Sequence, residues 1–153
     1  MKVYAAARDI SSFTASDGLV PVKMDVTSDA DVANAAGMAG DVTLLVNNAG
    51  INHNTAFMVA PDTTIAREEE INHLAPLRIT KAFAPALIRN KGAVLNLLTT
   101  LARVNLPFMG SYCASKAAGL SLTQGLRGVI APKGVRVGNA HDGDADHSED
   151  DHR

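Results

Sequence analysis

The sequence has no tryptophan and only one cysteine, Cys113. A single cysteine excludes an intrachain disulfide and any CxxC metal site. It also suits a reducing compartment, so a cytoplasmic location is expected. No apolar run approaches the roughly 20 residues that a membrane helix needs, so no membrane partner is expected. One lysine followed by Val3-Tyr4-Ala5-Ala6-Ala7 is too short for a signal peptide. Aromatic residues are scarce at 4%, so any core must be built from aliphatic and small side chains. Neither sign of charge dominates, the formal net charge being −2. That value hides an asymmetry, because residues 141–153 hold six acids and one arginine and residues 1–140 carry a net +3. So mild a positive charge argues against nucleic acid but suits an anionic cofactor.

What is present is ordinary for a soluble globular chain: 153 residues, 46% hydrophobic and 20% charged, enough for one domain with a real core. Short apolar runs alternate with helical patterns. Strands are predicted at Val3–Ala7, Leu19–Val26, Val42–Asn47, Gly92–Thr99 and Val135–Val137. Pro21 removes a ladder donor and so places the second strand at an edge. Ser28 with Asp31 three residues on has the form of a capping box, opening a helix to about Ala39. Asp62 caps a long helical stretch to about Arg89, and Ser111 precedes another to about Ile130. Strands alternating with helices predict a parallel sheet covered on both faces, an α/β fold. Residues 1–140 form the expected domain. Residues 141–153 lack any apolar pattern and are expected to be a disordered acidic tail.

Chemistry is concentrated in a few places. Tyr112 and Lys116, in Ser111-Tyr112-Cys113-Ala114-Ser115-Lys116, share one face of the predicted helix. A neighbouring cation favours phenolate, and such a tyrosine can pass a proton to or from an alcohol or ketone oxygen. An isolated Tyr-x-x-x-Lys reads more often as a surface tyrosine beside a solvated lysine. Thr99 closes a predicted strand, where open α/β sheets bind ligands; it is equally a β-branched strand end. Asn72 lies four residues before Pro76, which has no N–H to give the Asn72 carbonyl. The helix should kink there and leave that carbonyl for water or an ammonium, or the kink serves packing alone. Asn47-Asn48-Ala49-Gly50 ends a strand, and its small residues let a cofactor approach the backbone, or simply turn the chain. Asp142, Asp144 and Asp146 have the opening spacing of a calcium loop, but His147 stands where its glycine should be and Arg153 where its glutamate should be. No metal site is expected. His53 and His73 read as loop and helix residues rather than ligands.

Val46-Asn47-Asn48-Ala49-Gly50, the helix asparagine Asn72, the strand ending in Thr99 and Tyr112-x-Ala114-Ser115-Lys116 occur in one order. In this the chain resembles the short-chain dehydrogenase/reductase family, over roughly residues 3–137. The resemblance implies a Rossmann-like doubly wound parallel sheet. It makes Tyr112 the general acid/base and Lys116 the residue that lowers its pKa and holds the nicotinamide ribose. Asn72 matches the asparagine whose carbonyl anchors a water in the proton relay, and Thr99 takes the place of the usual serine. For the cofactor, Asn48, Ala49 and Gly50 match the adenine-ribose segment, and Asp25-Val26 the pair at the adenine ring. Arg8 matches a basic residue that pairs with the 2′-phosphate, and Ala7 stands where an NAD-selecting acid would be. NADP is therefore implied in preference to NAD.

Two features depart from the family pattern. The first strand of the family and its glycine-rich phosphate turn are absent from these residues, so the implied fold is incomplete and two sheet edges are expected. The Pro-Gly turn and substrate loop expected after Val137 are absent as well. The resemblance implies an NADP-dependent oxidoreductase acting on a small alcohol or ketone, a homodimer or homotetramer through the two long helices. Expected contact residues are Ala82, Ala86 and Ile88 on one helix and Leu120, Leu122 and Leu126 on the other. The alternative is a catalytically silent fragment with a structural or associative role.

Overall fold

The computed structural model describes residues 1–14 and 16–141, with the backbone alone at His141. Strand β1 (Val3–Ala7) pairs in parallel with β2 (Leu19–Lys23), Val3 opposite Leu19 and Ala7 opposite Lys23. Pro21 is tolerated because β2 is an edge strand, bonded among the described residues to β1 alone. Ser28 then caps α1 (Asp29–Met38), its Oγ accepting the Asp31 N–H at 3.2 Å. The reciprocal half of the expected capping box is redirected. Asp31 Oδ2 accepts the Asp25 N–H at 2.9 Å, which ties the helix start to the end of β2.

The second sheet has β3 (Leu44–Asn47), β4 (Ala93–Leu98) and β5 (Arg136–His141), all parallel with β4 central. Between β3 and β4 the chain forms α2 (Asp62–Glu69), one π-helical turn (Glu70–Leu74) and α3 (Ala75–Arg89). Between β4 and β5 runs α4 (Gly110–Ile130). The cap of α2 is Pro61, which makes no side-chain bond, and Asp62 is the first helical residue. An acid there still meets the positive end of the helix dipole. Strand β5 continues to His141, beyond the predicted Val135–Val137, because its backbone stays in register with β4 up to Leu98. The predicted tail, apart from His141, lies outside the described residues.

The fold is α/β and Rossmann-like. Its two sheets share no strand-to-strand hydrogen bond, and among the described residues no strand joins β1 to β3. One hydrophobic cluster nevertheless spans both, including Val22, Val32, Leu45, Phe83, Leu87, Val94 and Val137. Side chains alternate across a strand, so Leu45 and Asn47 are buried while Leu44 and Val46 are 54% and 43% exposed. Helix α1 packs against α3, and α3 against α4. Ala82, Ile88 and Leu126 pack against that core and Ala86 is buried, whereas Leu120 and Leu122 stay half-buried.

Candidate active site

The π turn is where the site begins. Pro76 cannot donate a hydrogen to the Asn72 carbonyl, and the chain responds by widening one turn. The Ala75 N–H bonds five residues back, to the Glu70 carbonyl. Asn72 is 3% exposed and its amide is fully engaged. Its Nδ2 donates to the Ile51 carbonyl and to Ser115 Oγ, both at 2.9 Å, and its Oδ1 accepts the Ile51 N–H at 2.8 Å. The helix asparagine therefore straps the segment after Gly50 to α4.

On α4, Ser115 Oγ also donates to the Tyr112 carbonyl at 2.7 Å. Lys116 is 7% exposed, and its Nζ donates to the Leu97 carbonyl at 3.2 Å. The same Nζ lies 5.7 Å from the centroid of the Tyr112 ring. A β-carbon at Gly50 would stand 3.2 Å from Asn72 Oδ1 and 3.3 Å from Lys116 Nζ. Glycine is needed there for close approach rather than for an unusual backbone angle. Beneath this cluster runs a buried amide and hydroxyl ladder. Asn47 Nδ2 donates to Asn96 Oδ1 at 2.8 Å and to Thr80 Oγ1 at 3.2 Å. Asn96 Nδ2 donates to Thr123 Oγ1 at 2.8 Å, which donates to the Gly119 carbonyl at 2.8 Å. A cavity of about 10 Å³, lined in part by Asn47, Asn72, Pro76 and Lys116, lies against it. That is room for about one water, and Asn47, whose Oδ1 is buried without a protein partner, is among the residues lining it.

Thr99 follows β4 at the same end of the sheet and is 8% exposed. Its Oγ1 accepts the Leu101 N–H at 3.4 Å, so it also caps a short 3₁₀ turn, Thr100–Ala102. Asn48 and Ala49 are exposed at the end of β3. The remaining predicted residues stand on the other sheet. Asp25 Oδ1 accepts the Thr27 N–H at 2.8 Å and the Thr27 hydroxyl at 2.7 Å, and the Val26 carbonyl accepts Arg78 Nη1 at 3.1 Å. The Thr27 bonds, aided by the charges of Arg67 and Arg8, hold the Asp25 carboxyl below its ordinary 3.8, against the opposing effect of burial. A carboxylate depressed on folding stabilises the fold above its unfolded pKa and loses that effect as pH falls. The melting temperatures of wild type and Asp25→Ala should therefore differ at neutral pH and converge below pH 3.8. Arg8 is exposed at the end of β1, in electrostatic reach of Asp25. The predicted residues thus form two groups, Asn72, Thr99, Tyr112 and Lys116 with the β3 end, and Arg8 with Asp25-Val26.

Residues 2–148 match the family model described as short chain dehydrogenase. This chain belongs to the short-chain dehydrogenase family. A short-chain dehydrogenase of Burkholderia cenocepacia J2315, solved in complex with NADP, superposes with a TM-score of 0.85 at 42% identity, over 92% of this chain and 59% of that one. Among curated relatives, the short-chain dehydrogenase cctT of Talaromyces islandicus is 29% identical over 89% of this chain and 51% of its own length. The NADPH-dependent 1-acyldihydroxyacetone phosphate reductase of Schizosaccharomyces pombe is 31% identical over 89% of this chain and 48% of its own length. The chain spans about half the length of these two curated relatives.

Ser115, Ile51 and Asn96 join the site although sequence reasoning does not single them out, and it places Asn47 only in the segment that ends the strand. Ser115 was legible in principle, since it follows Tyr112 by three residues and shares its helix face. The Asn47–Asn96 pairing was legible in the same sense, since amides on otherwise apolar strands need buried partners. Ile51 left no signal, because it contributes only its backbone. Among the described residues no group of three metal-ligating side chains comes together, and no helix is long and apolar enough to cross a membrane. Asp142, Asp144 and Asp146 lie outside them.

Proposed function

We propose that this chain carries the catalytic portion of an NADP-dependent alcohol/carbonyl oxidoreductase of the cytoplasm. The observation that carries the reading is the buried Lys116 held against the Tyr112 ring, with Gly50 and Asn72 packed beside it at the strand ends. Close backbone approach at Gly50 fits a flat cofactor lying across the ends of β3 and β4. Arg8 and Asp25 would hold the adenosine end, with Val26 beside the ring, and Asn48 and Ala49 the sugar next to it. When bound, NADP supplies the redox chemistry by exchanging a hydride with the substrate carbon. Tyr112 moves the proton at the substrate oxygen, and Lys116 favours its phenolate form. Thr99 holds that oxygen through its hydroxyl, its methyl narrowing the space. The Asn72 carbonyl, bordering the small cavity, keeps a water in reach of Lys116.

An arginine fork suits the 2′-phosphate of NADP, and no acid stands at Ala7. NADPH should therefore bind more tightly than NADH. Arg8→Ala should narrow the gap by about 1–3 kcal/mol, the scale of a charge-assisted contact. Fluorescence titration of both cofactors tests this, and equal affinities in the wild type would contradict it. A homodimer or homotetramer would bury the half-buried Leu120 and Leu122 of α4 in a two-fold contact. A strictly monomeric mass by light scattering at micromolar concentration would reject that assembly. The second reading, a silent fragment with an associative role, is favoured by the two sheets' lack of a shared strand. Cofactor titration separates the two readings.

A further inference from the structure

Glu68 is 0% exposed, a rare state for a carboxylate. Its Oε1 accepts the His53 backbone N–H at 2.7 Å and lies 3.2 Å from His53 Nδ1, and the His53 side chain is 43% exposed. Its Oε2 is buried without a protein partner, as is Ser111 Oγ. The packing of α2 against α4 closes over this carboxylate.

The geometry decides the tautomer of His53. Oε1 already accepts a backbone hydrogen, so if Glu68 carries a proton it resides on Oε2. In either charge state Oε1 is an acceptor, and Nδ1 must be the donor. The outer nitrogen, Nε2, is then left as an acceptor when the ring is neutral. His53 lies three residues past Gly50, which abuts Lys116 Nζ. At no more than about 3.5 Å per residue, the two α-carbons are within roughly 10 Å. Loop fastening alone would need only the backbone bond. The carboxylate also fixes the ring.

We propose that Glu68 is a positioning residue that holds His53 as the Nδ1–H tautomer, and that His53 Nε2 is a binding group for a hydroxyl on the ligand of this site. The ligand class is an alcohol or ketone carrying a second hydroxyl near the reacting carbon. This ligand assignment rests on the oxidoreductase reading above, whereas the tautomer does not. In Glu68→Gln the amide oxygen still accepts from Nδ1. In Glu68→Leu that acceptor is lost.

The test is nitrogen NMR of the His53 ring on the 153-residue chain at alkaline pH, where the imidazole is neutral. Wild type and Glu68→Gln should show Nδ1 protonated and Nε2 bare, and Glu68→Leu should move toward the opposite tautomer. A predominantly Nε2–H ring in wild type, or no change in Glu68→Leu with the chain still folded by circular dichroism, overturns the positioning role. Hydroxyacetone should then shift the Nε2 signal of wild type and Glu68→Gln, while acetone, which has no hydroxyl, should not. Equal responses to the two ketones, or none, overturn the ligand assignment. Neither readout requires cofactor or turnover, so failure to bind NADPH would count against the oxidoreductase reading alone.

Discussion

Tyr112→Phe should remove about 10²–10⁴-fold of any ketone reduction by this chain, the usual worth of a positioned acid or base. The substitution deletes one oxygen and keeps the ring. That ring is half-buried and stands over Lys116 Nζ, and Phe preserves the shape of that contact. Ser115 bonds to the Tyr112 backbone carbonyl rather than to its side chain, so the link from Tyr112 through Ser115 to Asn72 survives as well. Stability should consequently change little while the proton donor is lost. Steady-state NADPH oxidation with a panel of ketones, beside a thermal melt, separates the two effects. Rates that match wild type would remove Tyr112 from the chemistry, and a large fall in melting temperature would make the substitution uninformative about catalysis.

The 153-residue chain by itself should bind NADPH weakly, and the same chain extended by a family-type strand and glycine-rich turn should bind about a thousandfold more tightly or better. A turn of that type holds the pyrophosphate on several backbone N–H groups at a helix N-terminus. Each charge-assisted bond contributes roughly 1.5–3 kcal/mol, so three of them already give that factor. Here Arg8 and Asp25 stand on the β1–β2 sheet and Tyr112 and Lys116 beside the β3–β4–β5 sheet, with no strand among the described residues hydrogen-bonded to both. The two ends of a dinucleotide would thus be gripped by parts linked only through the helices and the core. A misplacement of about 1 Å at the reacting atoms can cost a hundredfold in rate. Calorimetry on both chains measures the difference. Micromolar binding by the shorter chain would mean that another segment, with Met1–Arg8 as the first candidate, holds the phosphates.

Much of this molecule was written in local pattern. The parallel α/β order followed from apolar runs alternating with helical periods, and both long helices began within two residues of their predicted starts. Pro76 marked where the helix hydrogen-bond ladder must fail, because a missing N–H is a property of one residue. Tyr112 and Lys116 share a face because a helix returns every 3.6 residues. What local pattern could not carry was the choice among partners distant in sequence. Pro76 required a defect but not its form, and the π turn arises because Asn72 is held by Ile51 on one side and Ser115 on the other. Asn47 and Asn96 each needed a buried partner, and only the register of β3 on β4 made them partners of one another. Glu68 is the first of three successive acids, Glu68, Glu69 and Glu70, and nothing in that run distinguishes it from its neighbours. The packing of α2 against α4 and the loop at His53 buried it, while Glu69 and Glu70 stayed half-buried. Periodicity is a property of neighbouring residues, whereas the burial of a polar atom depends on which elements close over it, and that was decided by tertiary structure alone.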